Sequence, residues 1–369
     1  MGAFPNSDAE SDLIPFFDYT RAELALLLKD RFDFAPYRAQ QLFSWVYQKL
    51  IFDTSEMSNI GKEHRALLAA VFKFNQTSFL ERQISSDGTR KYLFELSQKH
   101  RIETVMIKQP QRMTLCVSSQ VGCALGCRFC QTGTMGLTRH LSTSEIVQQV
   151  VGVLLDARNF GDRFSNVVFM GMGEPLHNFE NVKRAIEIIT DDYGVGLSAR
   201  RITVSTVGLV PQIDRFFKEK IGANLAVSLN ATTNEVRSEI MPINQRFPLE
   251  QLLGALRSAT LRPRQRITIE YVMLAGINDT DDDLKRLPKI LSGIPVKINL
   301  IPYNNNVDLG FNSPTKERVA RWQRYLNDHG TLATVRWSKG QDIDAACGQL
   351  VTTSSRKKRT SEPLTAISA

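Results

Sequence analysis

From residue 113 onward the chain repeats one unit, a short apolar, β-branched run followed by an amphipathic stretch at helical spacing. The strand-like runs are 113–117, 166–170, 202–205, 224–228, 267–273 and 296–301. The spacing between them predicts helices over 143–156, 179–190, 211–220, 249–260 and 281–291. Ser142 followed by Glu145 fits a capping box at the start of the first helix. Ser313-Pro314 predicts a further helix over 315–327, with proline at its opening. Strands that are apolar throughout and separated by helices call for a parallel sheet with right-handed crossovers. Six such units either close part-way into an open (β/α)6 barrel or lie flat as a doubly wound sheet. Periodicity is the same for both.

The first third of the chain reads differently. Over 15–75 the apolar residues fall at helical spacing, first Leu24, Leu26, Leu27 and Leu28, then Ala39, Leu42, Phe43, Val46 and Tyr47. Residues 78–118 look like strands, with Asp87-Gly88 as a turn signal. The expected organisation is therefore an α/β chain with four parts. A helical accessory domain spans 1–77, a β extension 78–112 and a βα core 113–351. A basic tail over 352–369, rich in Ser, Thr, Lys and Arg, is expected to be disordered. With 42% apolar and 23% charged residues the chain can bury a large core under a solvated surface. It contains no run of 18 or so apolar residues that would cross a membrane, and residues 1–12 carry acids without an apolar secretory segment. The net charge of +8 arises beyond residue 100, partly from Arg356, Lys357, Lys358 and Arg359, and is compatible with a polyanionic partner or with a generic basic enzyme.

Four of the five cysteines cluster. Cys123, Cys127 and Cys130 have the spacing Cys-x3-Cys-x2-Cys on a loop with Gly122 and Gly126; Cys116 precedes them, and Cys347 lies far downstream. Such density is too low for a secreted disulfide scaffold and suits a reducing compartment. Short spacings let one loop wrap one metal centre, and thiolates are soft ligands for iron–sulfur clusters or zinc. A structural zinc site wants four closed ligands, and His140 and Cys116 are poor candidates for the fourth. A cubane held by three cysteines leaves one iron open. Polar residues also gather where the apolar runs end: Gly171-Met-Gly173-Glu174-Pro175, Ser205-Thr206, Ser228-Leu229-Asn230 and Tyr303-Asn304. Each alone reads as a cap or turn. Strand ends along one rim are also where barrel enzymes build their sites.

The cysteine spacing, with Phe129 before the last cysteine, resembles the signature of the radical S-adenosylmethionine (SAM) enzymes. The resemblance implies the partial (β/α)6 barrel. It also implies a [4Fe–4S] cluster on Cys123, Cys127 and Cys130, with SAM at the open iron. Gly173 and Glu174 would receive the methionine amino group, and Ser205, Ser228, Leu229, Asn230 and Asn304 would contact ribose and adenine.

Four longer stretches narrow the resemblance. They are Leu115-Cys116-Val-Ser-Ser-Gln-Val-Gly-Cys123, Gly171-Met-Gly-Glu-Pro175, Thr203-Val-Ser-Thr-Val-Gly-Leu-Val-Pro211 and Ile343-Asp-Ala-Ala-Cys347-Gly-Gln-Leu350. Over roughly residues 15–351 the chain is similar to the bacterial dual-specificity RNA methyltransferases that make 2-methyladenosine. In that family one SAM methylates a C-terminal cysteine, here Cys347. A second is cleaved to a radical that takes hydrogen from the S-methyl group, and the resulting methylene radical adds to C2 of adenine. Cys116 then helps resolve the protein–RNA adduct, leaving a Cys116–Cys347 disulfide to be reduced. Glu103 matches the general base; residue pattern alone would make it a solvent-facing strand residue.

The implied partners are 23S rRNA and the tRNA adenosine 3′ to the anticodon, with an electron donor such as a flavodoxin-type protein. The implied setting is a cytoplasmic monomer with no membrane contact. A relative that methylates C8 of the same rRNA adenosine, conferring antibiotic resistance, would share the cysteines. A non-enzymatic zinc protein that binds RNA is the alternative from another class.

Overall fold

The protein is described from a computed structural model that covers residues 13–74, 79–305 and 309–352. The expected tail therefore lies, from residue 353, outside the described residues. Ten strands form one sheet: β1 (Phe79–Ile84), β2 (Arg90–Glu95), β3 (Arg101–Gln109), β4 (Arg112–Cys116), β5 (Asn166–Phe169), β6 (Ile202–Thr206), β7 (Asn224–Ser228), β8 (Ile267–Met273), β9 (Val296–Pro302) and β10 (Ala333–Val335). They lie side by side in chain order. β4 to β10 are parallel, and β1 to β4 form an antiparallel meander on the same edge.

Strand order decides between the two architectures left open by periodicity. A doubly wound sheet reverses its order at a switch point. Here β4 to β10 never reverse, so the winding has a single sense, as in a partial barrel. The expected strands match to within one or two residues. β10 is an addition that the sequence pattern does not reveal: three residues are too few to show an alternation, and only Ala333 is buried. The β extension is no separate part, because β3 pairs with β4 over Val105–Cys116 to Gln109–Arg112 and continues the same sheet.

Helix boundaries follow local chemistry. The Ser142–Glu145 capping box is present in both directions and opens Thr143–Asn159. The expected proline start at 314 is corrected. Thr315 is the cap, accepting from the Arg318 N–H, and the helix is Lys316–Asp328. The hydroxyl accepts from a backbone N–H at the helix start, which a proline ring, having no acceptor, cannot do.

Compactness divides the chain differently from the expected 1–77 boundary. One unit combines residues up to 78 with 141–163 and 180–198. Its core is aromatic, with Phe16 touching Phe17, Phe43, Tyr47, Phe72 and Phe74. Ala39, Leu42, Phe43, Val46 and Tyr47 are all buried, as their spacing requires, whereas Leu26 is 63% exposed. Polar ties explain why helices 143–159 and 179–190 join this unit: the Ser144 N–H donates to Asp18 (2.7 Å), Arg21 pairs with Asp191 (2.9 Å) and Arg184 with Glu23 (3.0 Å). The second unit holds the sheet and everything described below.

Candidate active site

A cavity of about 890 Å³, measured out to its open mouth, lies at the C-terminal ends of β5 to β10. Its wall includes Gly173, Glu174, Ser205, Ser228, Asn230 and Asn304, with Cys127 and Cys130 on one side and Cys347 beside them. Leu229 does not line it. That side chain is fully buried, its N–H donates to the Glu270 carbonyl (3.0 Å), and its carbonyl accepts from Arg237 Nε (3.0 Å). Cys123, Cys116 and Glu103 lie outside the lining as well.

The three clustered cysteines are set by a small ribbon. Gln120–Cys123 pairs with Gly136–His140, so the intervening loop leaves and returns at one place. Cys127 and Cys130 are tied by a backbone hydrogen bond of 3.1 Å. Burial pushes the Cys123 thiol up to about 12 and raises Cys127 well above its ordinary value, and each feels the charge of its neighbours. A metal centre bound here would have to displace those protons, because the ligand is the thiolate.

Among the described residues no three of His, Cys, Asp and Glu converge as one metal ion would need. A cubane takes its three thiolates at three different irons, so this donor set fits a cluster better than zinc. His140, a candidate fourth zinc ligand, instead faces Gln120 and His177. Two buried polar atoms in the wall, Glu270 Oε2 and Tyr303 Oη, have no hydrogen-bond partner. Such groups cost free energy unless something fills the cavity with complementary atoms.

Cys347 is brought to the cluster loop by backbone contacts across more than two hundred residues. The Gln131 N–H donates to the Gly348 carbonyl (2.8 Å), and Thr132 Oγ1 donates to the Leu350 carbonyl (2.7 Å). One residue on, the Val351 N–H donates to Glu103 Oε2 (3.0 Å). Glu103 is thus no solvent-facing strand residue. It is 6% exposed, and its Oε1 pairs with Lys91 Nζ at 3.0 Å, a diagonal pair on β2 and β3. Burial pushes the Cys116 thiol up to about 12, and Cys347 nearby adds to the rise. All five cysteines are free thiols.

Three residues that motif reading passes over complete the site. Arg336, at the end of β10, lines the cavity, and charge on Cys347, Glu270 and Cys116 raises its already high pKa further against the cost of burial. Lys91 holds Glu103. Arg237, fully buried, donates to the carbonyls of Leu229 (3.0 Å), Val207 (2.7 Å) and Ser228 (3.2 Å) and to Asn244 (3.1 Å). It thereby fastens the ends of β6 and β7, although burial lowers its pKa to about 10. A basic residue beside apolar neighbours is the one available signal for Lys91 and Arg336, whereas Arg237 stands among Asn234, Glu235, Ser238 and Glu239 and carries none.

Asn230 adopts φ +56°, a left-handed conformation that asparagine tolerates well. Its side chain is spent inside the protein, accepting from the Val272 N–H (2.8 Å) and donating to Met241 Sδ (3.2 Å). Glu174 Oε2 accepts from the Val207 N–H (2.9 Å) and its Oε1 from the Leu176 N–H (3.1 Å), yet burial raises its pKa to about 7. Asn304 Oδ1 accepts from Gln341 Nε2 (2.9 Å).

Residues 117–287 match the radical SAM superfamily, and residues 14–73 match the ribosomal RNA large subunit methyltransferase N-terminal domain. A dual-specificity RNA methyltransferase RlmN of Geobacter sulfurreducens is 51% identical over 314 residues, covering 85% of this chain and 86% of the relative. One from Cereibacter sphaeroides is 47% identical over 335 residues, covering 88% and 85%. The crystal structure of a radical SAM methyltransferase from Sphaerobacter thermophilus superposes with a TM-score of 0.85 at 43% identity, covering 91% of this chain and 99% of that one. With half its residues shared over most of its length, and both halves of the relatives' architecture present, the chain belongs to the dual-specificity RNA methyltransferase family of radical SAM enzymes.

Proposed function

We propose that this protein methylates C2 of adenosine in 23S rRNA and in tRNA next to the anticodon, using Cys347 as the carrier of the methyl group. The observation that carries the reading is the seating of Cys347 in one cavity wall with Cys127 and Cys130, held there by the Gln131–Gly348 and Thr132–Leu350 hydrogen bonds. Enzymes of this family use a [4Fe–4S] cluster and SAM. Cys123, Cys127 and Cys130 would hold the cluster, which with SAM supplies one-electron chemistry able to make a carbon radical.

The remaining work falls to the chain. The Cys347 sulfur accepts a methyl group by displacement from one SAM, then bears the carbon that bonds to adenine C2. The Glu103 carboxylate, held between Lys91 and the Val351 N–H, takes the C2 proton from the radical adduct, whose odd electron would pass to the one-electron centre that Cys123, Cys127 and Cys130 would hold. The Cys116 thiolate attacks the Cys347 sulfur to form the disulfide; the S–C bond breaks, its electron pair stays on the carbon attached to C2, and that carbon takes a proton to become the methyl group as the base leaves. Gly173, Glu174, Ser205, Ser228 and Asn304 surround the space for SAM, and Asn230 braces it. The target base must leave its stack to enter, and the basic excess beyond residue 100 supports a phosphate-rich partner. No helix among the described residues is long and apolar enough to cross a membrane. A cytoplasmic monomer served by a flavodoxin-type donor completes the reading.

Reaction of purified 23S rRNA and tRNA, each digested to nucleosides and analysed by mass spectrometry, tests it. The expected product is 2-methyladenosine in both RNAs. Only 8-methyladenosine, or a colourless zinc protein after anaerobic purification, overturns it.

A further inference from the structure

Gln120 is wholly buried at the foot of the ribbon that carries the cysteine loop, opposite His140 in register. Its Oε1 accepts from the Glu174 N–H at 2.8 Å. Its Nε2 lies 3.0 Å from His140 Nδ1 and 3.3 Å from His177 Nδ1, and the two imidazoles meet edge to face, 4.9 Å apart. The Gly171–Pro175 segment is moulded around this side chain. Gly173 has φ +98°, and a Cβ there would fall 2.5 Å from Gln120 Cβ and 2.7 Å from its Cγ. The Met172 carbonyl accepts from the Ser119 (2.9 Å) and Gln120 (3.2 Å) N–H groups, and Asn178 Nδ2 donates to the Ser119 carbonyl (2.9 Å).

The amide has only one workable orientation. A backbone N–H can only donate, so the Gln120 oxygen must face Glu174 and its NH2 must face the imidazoles. Both Nδ1 atoms then accept, which requires both rings neutral with their protons on Nε2. Both histidines are exposed residues, so solvent protons reach them although the amide itself is shut in.

We propose that Gln120 is a positioning residue for the Gly173–Glu174 peptide, held in its working orientation by His140 and His177 only while both rings are neutral. The proposal rests on the reading that Gly173 and Glu174 receive the methionine end of SAM. Protonating either ring turns an acceptor into a donor aimed at the Gln120 NH2, and the amide can no longer satisfy the imidazoles and Glu174 together.

The charged groups around the pair set where this happens. His140 is held below the ordinary imidazole value by burial and by His177. Arg139, which donates to the His140 carbonyl (3.0 Å), adds a further cation. The Glu174 carboxylate points away, toward Val207 and Leu176, while its carbonyl accepts from the His177 N–H (3.0 Å). The working range is therefore neutral and above, with loss on the acid side of the imidazole range.

The test uses cluster-loaded enzyme, with SAM affinity by equilibrium dialysis from pH 8 to pH 5 and amide hydrogen exchange of the 170–178 segment at each pH. Wild-type affinity should fall as pH drops into the imidazole range. Gln120→Ala should weaken SAM about tenfold at pH 8, with faster exchange in the segment and with a shallower acid-side fall, reduced to what Glu174 itself contributes. Gln120→Glu should invert the profile, because a carboxylate wants protonated imidazoles; its SAM affinity should improve as pH falls. Glu174 titrates in all three proteins, so differences between their profiles isolate the imidazoles. Unchanged exchange and affinity in Gln120→Ala, or a Gln120→Glu profile parallel to wild type, overturn the role of Gln120. Faster exchange with unchanged affinity overturns instead the placement of SAM at Gly173 and Glu174, and the proposal with it.

Discussion

Lys91→Met removes one partner of a buried ion pair. At 3.0 Å, with side chains only 10% and 7% exposed, the pair lies where an effective dielectric of about 20 gives an attraction of roughly 5 kcal/mol. Desolvating both ions offsets much of that, so the pair's net value is small. Breaking it is another matter, because the Glu103 carboxylate stays buried after losing the Lys91 ammonium beside it. Such deletions cost about 3–5 kcal/mol. The expected result is a loss of about 3 kcal/mol in the apparent unfolding free energy from urea titration. The double variant Lys91→Met/Glu103→Gln should recover most of it, since neither charge is then left alone. Activity should split as well. Cys347 methylation, which needs no base, should survive Lys91→Met, while formation of 2-methyladenosine falls steeply and RNA-bound protein accumulates on denaturing gels. A loss below about 1 kcal/mol, or a double variant no more stable than the single one, would refute the argument that burial makes this pair matter.

Three further outcomes are expected. Cys347→Ala should abolish methyl transfer to RNA while leaving iron content and cleavage of SAM to 5′-deoxyadenosine measurable; retained RNA methylation would remove Cys347 from the chemistry. Cys116→Ala should trap RNA covalently on Cys347, visible as a ribonuclease-sensitive shift on a denaturing gel, and normal turnover without adduct would contradict the resolving role. In cluster-free protein, Glu174 binds its proton more tightly when folded (about 7) than when unfolded (4.5). The folded state therefore holds the extra proton between those values, and stability should fall as pH rises from 4.5 to 7, by about 3 kcal/mol at most. Glu174→Gln should flatten that slope in urea titrations run across the range.

Local chemistry made much of the fold legible. Capping at Ser142 and Glu145, the Asp87-Gly88 turn and the limits of β7 and β8 depend on residues a few positions apart, and those were readable directly. The Cys-x3-Cys-x2-Cys loop is legible for the same reason, since its three ligands need only one short loop. Where the local signal is weak, pattern and structure differ: β10 has three residues, and Thr315 rather than Pro314 starts its helix.

What only the tertiary structure decided are relations between distant residues. Periodicity is blind to strand order, and the unreversed run from β4 to β10 settled a partial barrel over a flat sheet. Glu103 looks like a surface residue until Lys91 and Val351 enclose it, and Cys347 looks like a lone thiol until Gln131 and Thr132 anchor its loop. Arg237 and Arg336 carry no motif of their own, and the stretch that contains Gln120 assigns that residue nothing; their roles arise because polar atoms taken out of water must find partners, wherever in the chain those partners lie. The sequence by itself determined the elements and the ligand loop, because these rest on neighbours along the backbone. The meeting of Cys347 with Cys127 and Cys130 in one cavity wall rests on packing and hydrogen bonds between distant segments, which no local pattern encodes.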